Sequence, residues 1–161
     1  HLHSSVDIRN FSRRYDGYLR GCRSLPDAAA KDSSRRVVRV GTTPEAAASD
    51  MRAYLATDPV LPTAFFADND SIAAGCCRAI QESGLRIPQD VSVIGFDDSS
   101  LCQMIDPPLT TMGVHKERMG ALAVNRLHER LRQDMPETVR ILVQPSIIVR
   151  ESVLDLNSMA P

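Results

Sequence analysis

The sequence lacks several features that would announce a function. It carries no excess charge of one sign: 19 Lys and Arg against 20 Asp and Glu give a formal net charge of −1 over 161 residues. This balance excludes a surface dominated by basic residues, so the segment alone is not expected to bind nucleic acid strongly. Its four cysteines, Cys22, Cys76, Cys77 and Cys102, show no C-x-x-C spacing. That argues against a disulfide framework or thiolate metal site, and for reduced thiols serving as small apolar residues in a cytoplasmic protein. No apolar run is long enough to span a membrane, and no signal peptide is visible. The chain opens on His1 without Met and reads as truncated. Internal repeats are missing too.

Enzyme signatures are equally absent. There is no G-x-S-x-G nucleophile elbow, no G-x-x-x-x-G-K phosphate loop, no G-x-G-x-x-G and no H-E-x-x-H. His115 and His128 have no partners at metal-ligand spacing and read as surface or helix-packing residues. Asp68-Asn69-Asp70 lacks the glycine and distal glutamate of a calcium loop. Asp97 and Asp98 are adjacent, so on an extended chain they point oppositely and make a poor acid/base pair. Neither a metal nor any other cofactor is expected.

What is present centres on Pro62 to Asp98. Thr63 to Ala67 is an apolar run without alternation, as in a parallel strand covered on both faces. Asp68, Asn69, Asp70 and Ser71 supply N-cap side chains. The helix that follows, Ser71 to Ser83, places Ile72, Cys76, Ala79 and Ile80 on one face. Gly84 stands where a left-handed residue ends a helix. Val91 to Phe96 is a second buried strand, with Asp97 and Asp98 at its carboxyl end. Strand, helix and strand make a right-handed βαβ unit, whose ligand crevice lies beyond the carboxyl ends of the strands.

The flanks extend this pattern. His1 to Ile8 reads equally as a strand end or a linker. Ile8, Phe11, Tyr15, Tyr18, Leu19 and Cys22 form one helical stripe, with Arg9, Arg13 and Arg14 in the opening turns. Those arginines suit either a solvated face or a ligand. Ser24 to Arg36 is a loop. Val37 to Val40 is a strand, Gly41-Thr42-Thr43 a turn, and Pro44 to about Thr57 a helix. Ser99 to Pro108 is irregular, and Leu109 to Val114 is extended. Glu117 to Arg132 is an amphipathic helix with Met119, Leu122, Ala123, Leu127 and Leu131 on its apolar face. Val139 to Val143 and Ile147 to Val149 read as two strands. The fold class is therefore α/β, with a doubly wound, mainly parallel sheet and helices on both faces.

Asn69 offers donor and acceptor together, Asp97 accepts from hydroxyls, and Arg14 presents a rigid donor fork. These groups suit holding a small polyhydroxylated or anionic ligand rather than breaking bonds. For Asp68 and Asp70 the alternative is service as helix caps and loop ion pairs.

A-D-N-D-S-I-A-A-G-C-C-R-A-I-Q-E-S-G-L-R-I-P-Q-D-V-S-V-I-G-F-D-D, then P-P-L-T-T-M, M-G-A-L-A-V-N-R-L and I-I-V-R-E-S-V, resembles the lactose/galactose-repressor family of bacterial transcription regulators. The similarity runs from about Ser5 to Val153. It implies a periplasmic-binding-protein-like lobe, matching the C-terminal half of a two-lobed effector sensor, with the DNA-binding headpiece and most of the first lobe absent from this chain. It divides the chain into residues 1–114 as the C-terminal lobe, 115–143 as a crossover helix and strand completing the first lobe, and 144–161 as final strand and tail. It carries effector contact onto Arg14, Asn69 and Asp97, with Asp68 and Thr43 as secondary candidates. Asp68 stands where the family commonly has a small residue. Gly41-Thr42-Thr43 lacks the aromatic that the family often stacks on its ligand.

The resemblance also implies a homodimer built on the helix after Asn69 and the segment after F-D-D, through Ala74, Cys77, Arg78, Cys102, Met104 and Ile105. The implied partners are a small-molecule effector (a sugar, sugar acid or related compound), a second copy of the chain, and operator DNA through the missing headpiece, with no membrane involved. The resulting expectation is the sensing and dimerising part of a transcriptional regulator rather than an enzyme. A periplasmic-type solute-binding domain of the same fold is the alternative, and an acid-dependent phosphotransfer or hydrolase site at Asp97 is a third reading. With most of the first lobe missing, the helix Glu117 to Arg132 is expected to pack on a neighbouring chain or on its own lobe.

Overall fold

The structure, a computed structural model, describes residues 1–24, 37–132 and 137–155. The expected loop from Ser24 to Arg36 falls almost wholly outside them. The elements in chain order are β1 (Leu2–Ser4), α1 (Arg9–Ser24), β2 (Val38–Val40), α2 (Pro44–Leu55), β3 (Ala64–Phe66), α3 (Asp70–Glu82), β4 (Ser92–Asp97), α4 (Leu101–Met104), β5 (Thr110–Gly113), α5 (Lys116–Arg132) and β6 (Ser146–Ile148).

Strands β1 and β2 pair in parallel, as do β3 with β4 and β4 with β5. A parallel bridge between Leu2 and Ala67 sets β1 beside β3. The sheet therefore runs β2-β1-β3-β4-β5, with β6 added antiparallel along β5. This is the doubly wound, mainly parallel α/β architecture expected. The carboxyl ends of all five parallel strands open on one edge, which is where such sheets bind ligands.

Local chemistry fixes the helix ends. Asn69 Oδ1 accepts from Ile72 N at 2.9 Å and caps α3. Thr43 Oγ1 accepts from Ala46 N at 3.2 Å and caps α2, with Pro44 in its first turn. Gly84 takes φ +86° just past α3, a conformation that only glycine adopts without cost.

The core is formed by Leu2, Val40, Met51, Ile72, Ile80, Val93 and Leu109, all fully buried. Helices α2 and α3 lie so close that a Cβ on Gly75 would collide with the Pro44 carbonyl oxygen. This contact explains one departure from expectation. Ala74, Cys77 and Cys102 were to stand on an outward dimer face, yet Ala74 and Cys77 are 7% and 3% exposed and Cys102 is fully buried. The second apolar face of α3 is covered from within the chain, by α2 and α4. Burial pushes the Cys77 thiol up to about 12, as befits an apolar packing residue.

One other expectation fails. Val139 to Val143 forms no strand; only Ser146–Ile148 pairs, against β5. Helix α5 is not covered by its own lobe, for none of its described residues is buried within the chain. Met119, Leu127 and Leu131 are 48%, 60% and 77% exposed. The segment bearing Val139, Ile141 and Val143 lies along it, forming a shallow cavity of about 240 Å³.

Candidate functional site

At the carboxyl edge of the sheet, β4 ends in two consecutive non-glycine residues with positive φ, Asp97 at 107° and Asp98 at 50°. Such backbone is rare and costly, and it concentrates where a side chain must be aimed. Here it sends the two carboxylates to different arginines. Asp97 Oδ1 accepts from Arg14 Nη2 at 2.8 Å, and Asp98 Oδ1 accepts from Arg150 Nη2 at 2.7 Å.

Arg14 is the hub. It belongs to the basic opening turns of α1, but whereas Arg13 is exposed, Arg14 turns inward and its side chain is 17% exposed. Its guanidinium also donates through Nη1 to the Asp68 carbonyl oxygen, and it lies 3.9 Å from the centroid of the Phe96 ring. A planar cation over an aromatic face is held in place without losing its remaining donors. Burial raises the Asp97 carboxyl above its ordinary value, with Arg14 opposing that shift.

Beside this pair lies a cavity of about 420 Å³ lined by Arg13, Arg14, Gly17, Tyr18, Phe66 and Phe96. Three of these six residues are aromatic, so apolar ring faces are available although the turn at Gly41 to Thr43 carries none. Asp97 meets the cavity through Arg14 rather than lining it. Asn69 follows directly on Asp68, whose carbonyl Arg14 holds, and its Oδ1 is committed to the α3 cap.

The secondary candidates sit differently. Thr43 is exposed and engaged in capping α2. The Asp68 carboxylate is fully buried and turned away from the cavity: Oδ1 accepts from His1 Nε2 at 2.8 Å, and Oδ2 from His3 Nδ1 at 2.6 Å and Ser4 N at 2.9 Å. Asp70 is more than a helix-cap residue. It is 1% exposed, and it accepts from Thr111 Oγ1 at 2.6 Å and from Ser99 N at 2.7 Å. It thus ties the start of α3 to β5 and to the loop that follows Asp98. A Cβ on Gly95 would collide with this carboxylate, so the glycine is what lets it reach across the sheet. Asp70 also hydrogen-bonds the Cys102 thiol, which burial first and this carboxylate second push up to about 12. The reach of Asp70 to Thr111 had no local sequence signal, because its partners lie 29 and 41 residues away. Met104 is 76% exposed and Arg78 is ion-paired on the surface with Glu82, so these two do face outward.

A family model described as a periplasmic binding protein-like domain matches residues 8–153. A transcriptional repressor PurR from Pasteurella multocida is 38% identical over 140 residues, which are 87% of this chain and 41% of that protein. The chain belongs to the lactose/galactose-repressor family. A ribose operon repressor from Haemophilus influenzae is 40% identical over 102 residues, 63% of this chain and 31% of that repressor. Among solved structures, the lac repressor dimer bound to operator and an anti-inducer superposes with a TM-score of 0.77 at 28% identity. That match covers 96% of this chain and 51% of that one. The chain thus spans about two-fifths of the length of its first curated relatives and corresponds to part of the family's sensor domain. The relatives are transcriptional repressors, not enzymes. No helix among the described residues is long and apolar enough to cross a membrane.

Proposed function

We propose that this lactose/galactose-repressor-family segment is the effector-binding part of a cytoplasmic DNA-binding regulator, taking a small polar effector at Arg14, Asn69 and Asp97. The observation that carries this reading is the inward-turned Arg14, pinned between Phe96, Asp97 and the Asp68 carbonyl beside a cavity lined in part by aromatic rings. An arginine fixed by a ring and a carboxylate is pre-organised for hydroxyl or anionic groups, and ring faces such as Tyr18 and Phe66 suit the flat side of a sugar or related compound. Residues 115–143 leave the lobe as the crossover toward the missing first lobe, and residues 144–161 return as the final strand and tail. The whole regulator acts as a homodimer on operator DNA through its headpiece.

A calorimetric or thermal-shift screen of sugars, sugar acids, polyols and nucleobases, run on the chain joined to its first lobe, tests the reading. One compound class is expected to bind. Arg14→Ala, Asn69→Ala and Asp97→Ala should each weaken it by about 1–3 kcal/mol, the scale of a buried or charge-assisted hydrogen bond. Binding that is indifferent to Arg14→Ala would remove the cleft from consideration.

A further inference from the structure

The cluster that took Asp68 out of the cleft is itself chemically unusual. His1, His3 and Asp68 bring one ligating atom each to within 4.8 Å of one another, and all three residues are buried. The two imidazoles approach the same carboxylate on different oxygens, at 2.8 and 2.6 Å, with side-chain exposures of 0% and 8% for the histidines and 0% for Asp68. Four aromatic contacts hold the rings in place: His1 lies 4.9 Å from the Tyr18 ring, 5.1 Å from Tyr15 and 5.1 Å from Phe66, and His3 stacks on Tyr15 at 5.0 Å. Ser4 N fixes the carboxylate from a third direction. Residues alternate across a strand, so His1 and His3 of the β1 segment share one face, and Asp68 follows the neighbouring strand β3 across the Leu2–Ala67 bridge. His3 thus lies in β1, and His1 and Asp68 each stand one residue from a paired strand position.

We propose that His1, His3 and Asp68 form a binding site for a divalent late transition metal, with zinc the ion these donors suit best. Two imidazole nitrogens and one carboxylate oxygen are a donor set that selects such ions over calcium or magnesium, which prefer all-oxygen shells. Zinc ligands at roughly 2.0–2.2 Å from the ion lie a little over 3 Å apart, so the trio needs only a small opening to admit one. On binding, each His–carboxylate hydrogen bond gives way to bonds from both groups to the metal, and the proton on the ligating ring nitrogen is replaced by one on the ring's other nitrogen, so that each imidazole binds as a neutral ligand. His3, the slightly exposed member, marks the way in. The site lies one residue from Asn69, and the Asp68 carbonyl accepts from Arg14. Occupancy would therefore stiffen the floor on which the cleft arginine rests, whatever effector the cleft takes.

The test uses metal-free chain carrying a short Gly-Ser leader before His1, so that no free α-amine stands beside the first imidazole. Cobalt(II), which reports its coordination through visible absorption, is titrated in and then displaced with zinc. The expected result is one equivalent bound at micromolar protein, a four- or five-coordinate d–d spectrum, and a zinc-dependent rise in melting temperature. His3→Gln and Asp68→Asn should each weaken binding by at least about tenfold and abolish the zinc-dependent rise. His115→Gln and His128→Gln should change neither. Should Asp68→Asn fail to fold, His3→Gln decides alone, since it keeps a planar polar side chain of similar size. Absence of binding, binding that survives His3→Gln, or a thiolate-to-cobalt charge-transfer band placing the ion on cysteine would each overturn the site.

Discussion

On the proposed reading, Asp97 serves binding at the expense of stability. It sits at φ 107° and is partly withdrawn from water, so burial raises its carboxyl above the reference 3.8 although Arg14 stands 2.8 Å away. A raised folded-state value means that the folded chain holds this proton more tightly than the unfolded chain does. Between the two values, stability falls as pH rises, and above the folded value the full penalty is present. Asp97→Asn removes the titration and keeps an oxygen for Arg14. The variant should therefore melt no lower than the parent at neutral pH, while binding the effector at least about tenfold more weakly for want of a charged acceptor. Melting curves from pH 4 to 8 check the sign: the difference between parent and variant should shrink on acidification. A variant clearly less stable than the parent at pH 7 would mean that the Arg14 pairing outweighs the desolvation.

At the scale of elements, the βαβ unit was legible in the sequence because its strands are largely apolar and its helix is signed at both ends, although Thr63 and Ala64 at the start of the first run are exposed. Thr63 to Ala67 and Val91 to Phe96 are continuous apolar runs, and Asn69 and Gly84 mark the start and stop of α3. Strand β1 was not legible. His1-Leu2-His3-Ser4 is mostly polar, and what makes it a buried strand is a carboxylate 64 to 67 residues away that satisfies both rings and a backbone N–H. The second face of α3 was only partly legible for a related reason: periodicity shows that a helix has two apolar faces but not how far neighbours within the chain cover the second. For the proposed homodimer, the surface offered to a second copy is the groove of about 390 Å³ that Ala74, Cys77, Arg78, Gln81, Leu101 and Ile105 help to line, with Met104 exposed on the same short helix α4 as Leu101. Met104→Glu should accordingly give monomers in sedimentation velocity with the melting temperature unchanged. Cys77→Glu should instead lower stability, because it buries a charge. A dimer that survives Met104→Glu would move the interface elsewhere.

For the whole molecule, the decisive observation is that helix α5 carries large apolar side chains that its own lobe leaves exposed. Met119, Val124, Leu127 and Leu131 of α5 are each between 48% and 77% exposed. A stripe of this kind on a soluble protein marks an interaction surface. The repressors it resembles are more than twice as long, which is where a covering surface would come from. Because these side chains are already in water, replacing Leu127 and Leu131 together with Gln should cost the 161-residue chain less than about 0.5 kcal/mol each in urea denaturation. It should also reduce binding of an apolar dye. In the longer protein the same pair would sit in an interior, where loss of each large side chain forfeits roughly 1.5–3 kcal/mol of burial. Measuring both chains side by side separates the two cases. Equal and small costs would mean that α5 stays uncovered even when the first lobe is present. A large cost confined to the longer chain would identify α5 as the element that joins the two lobes, and hence as the strut through which closure on an effector would be felt.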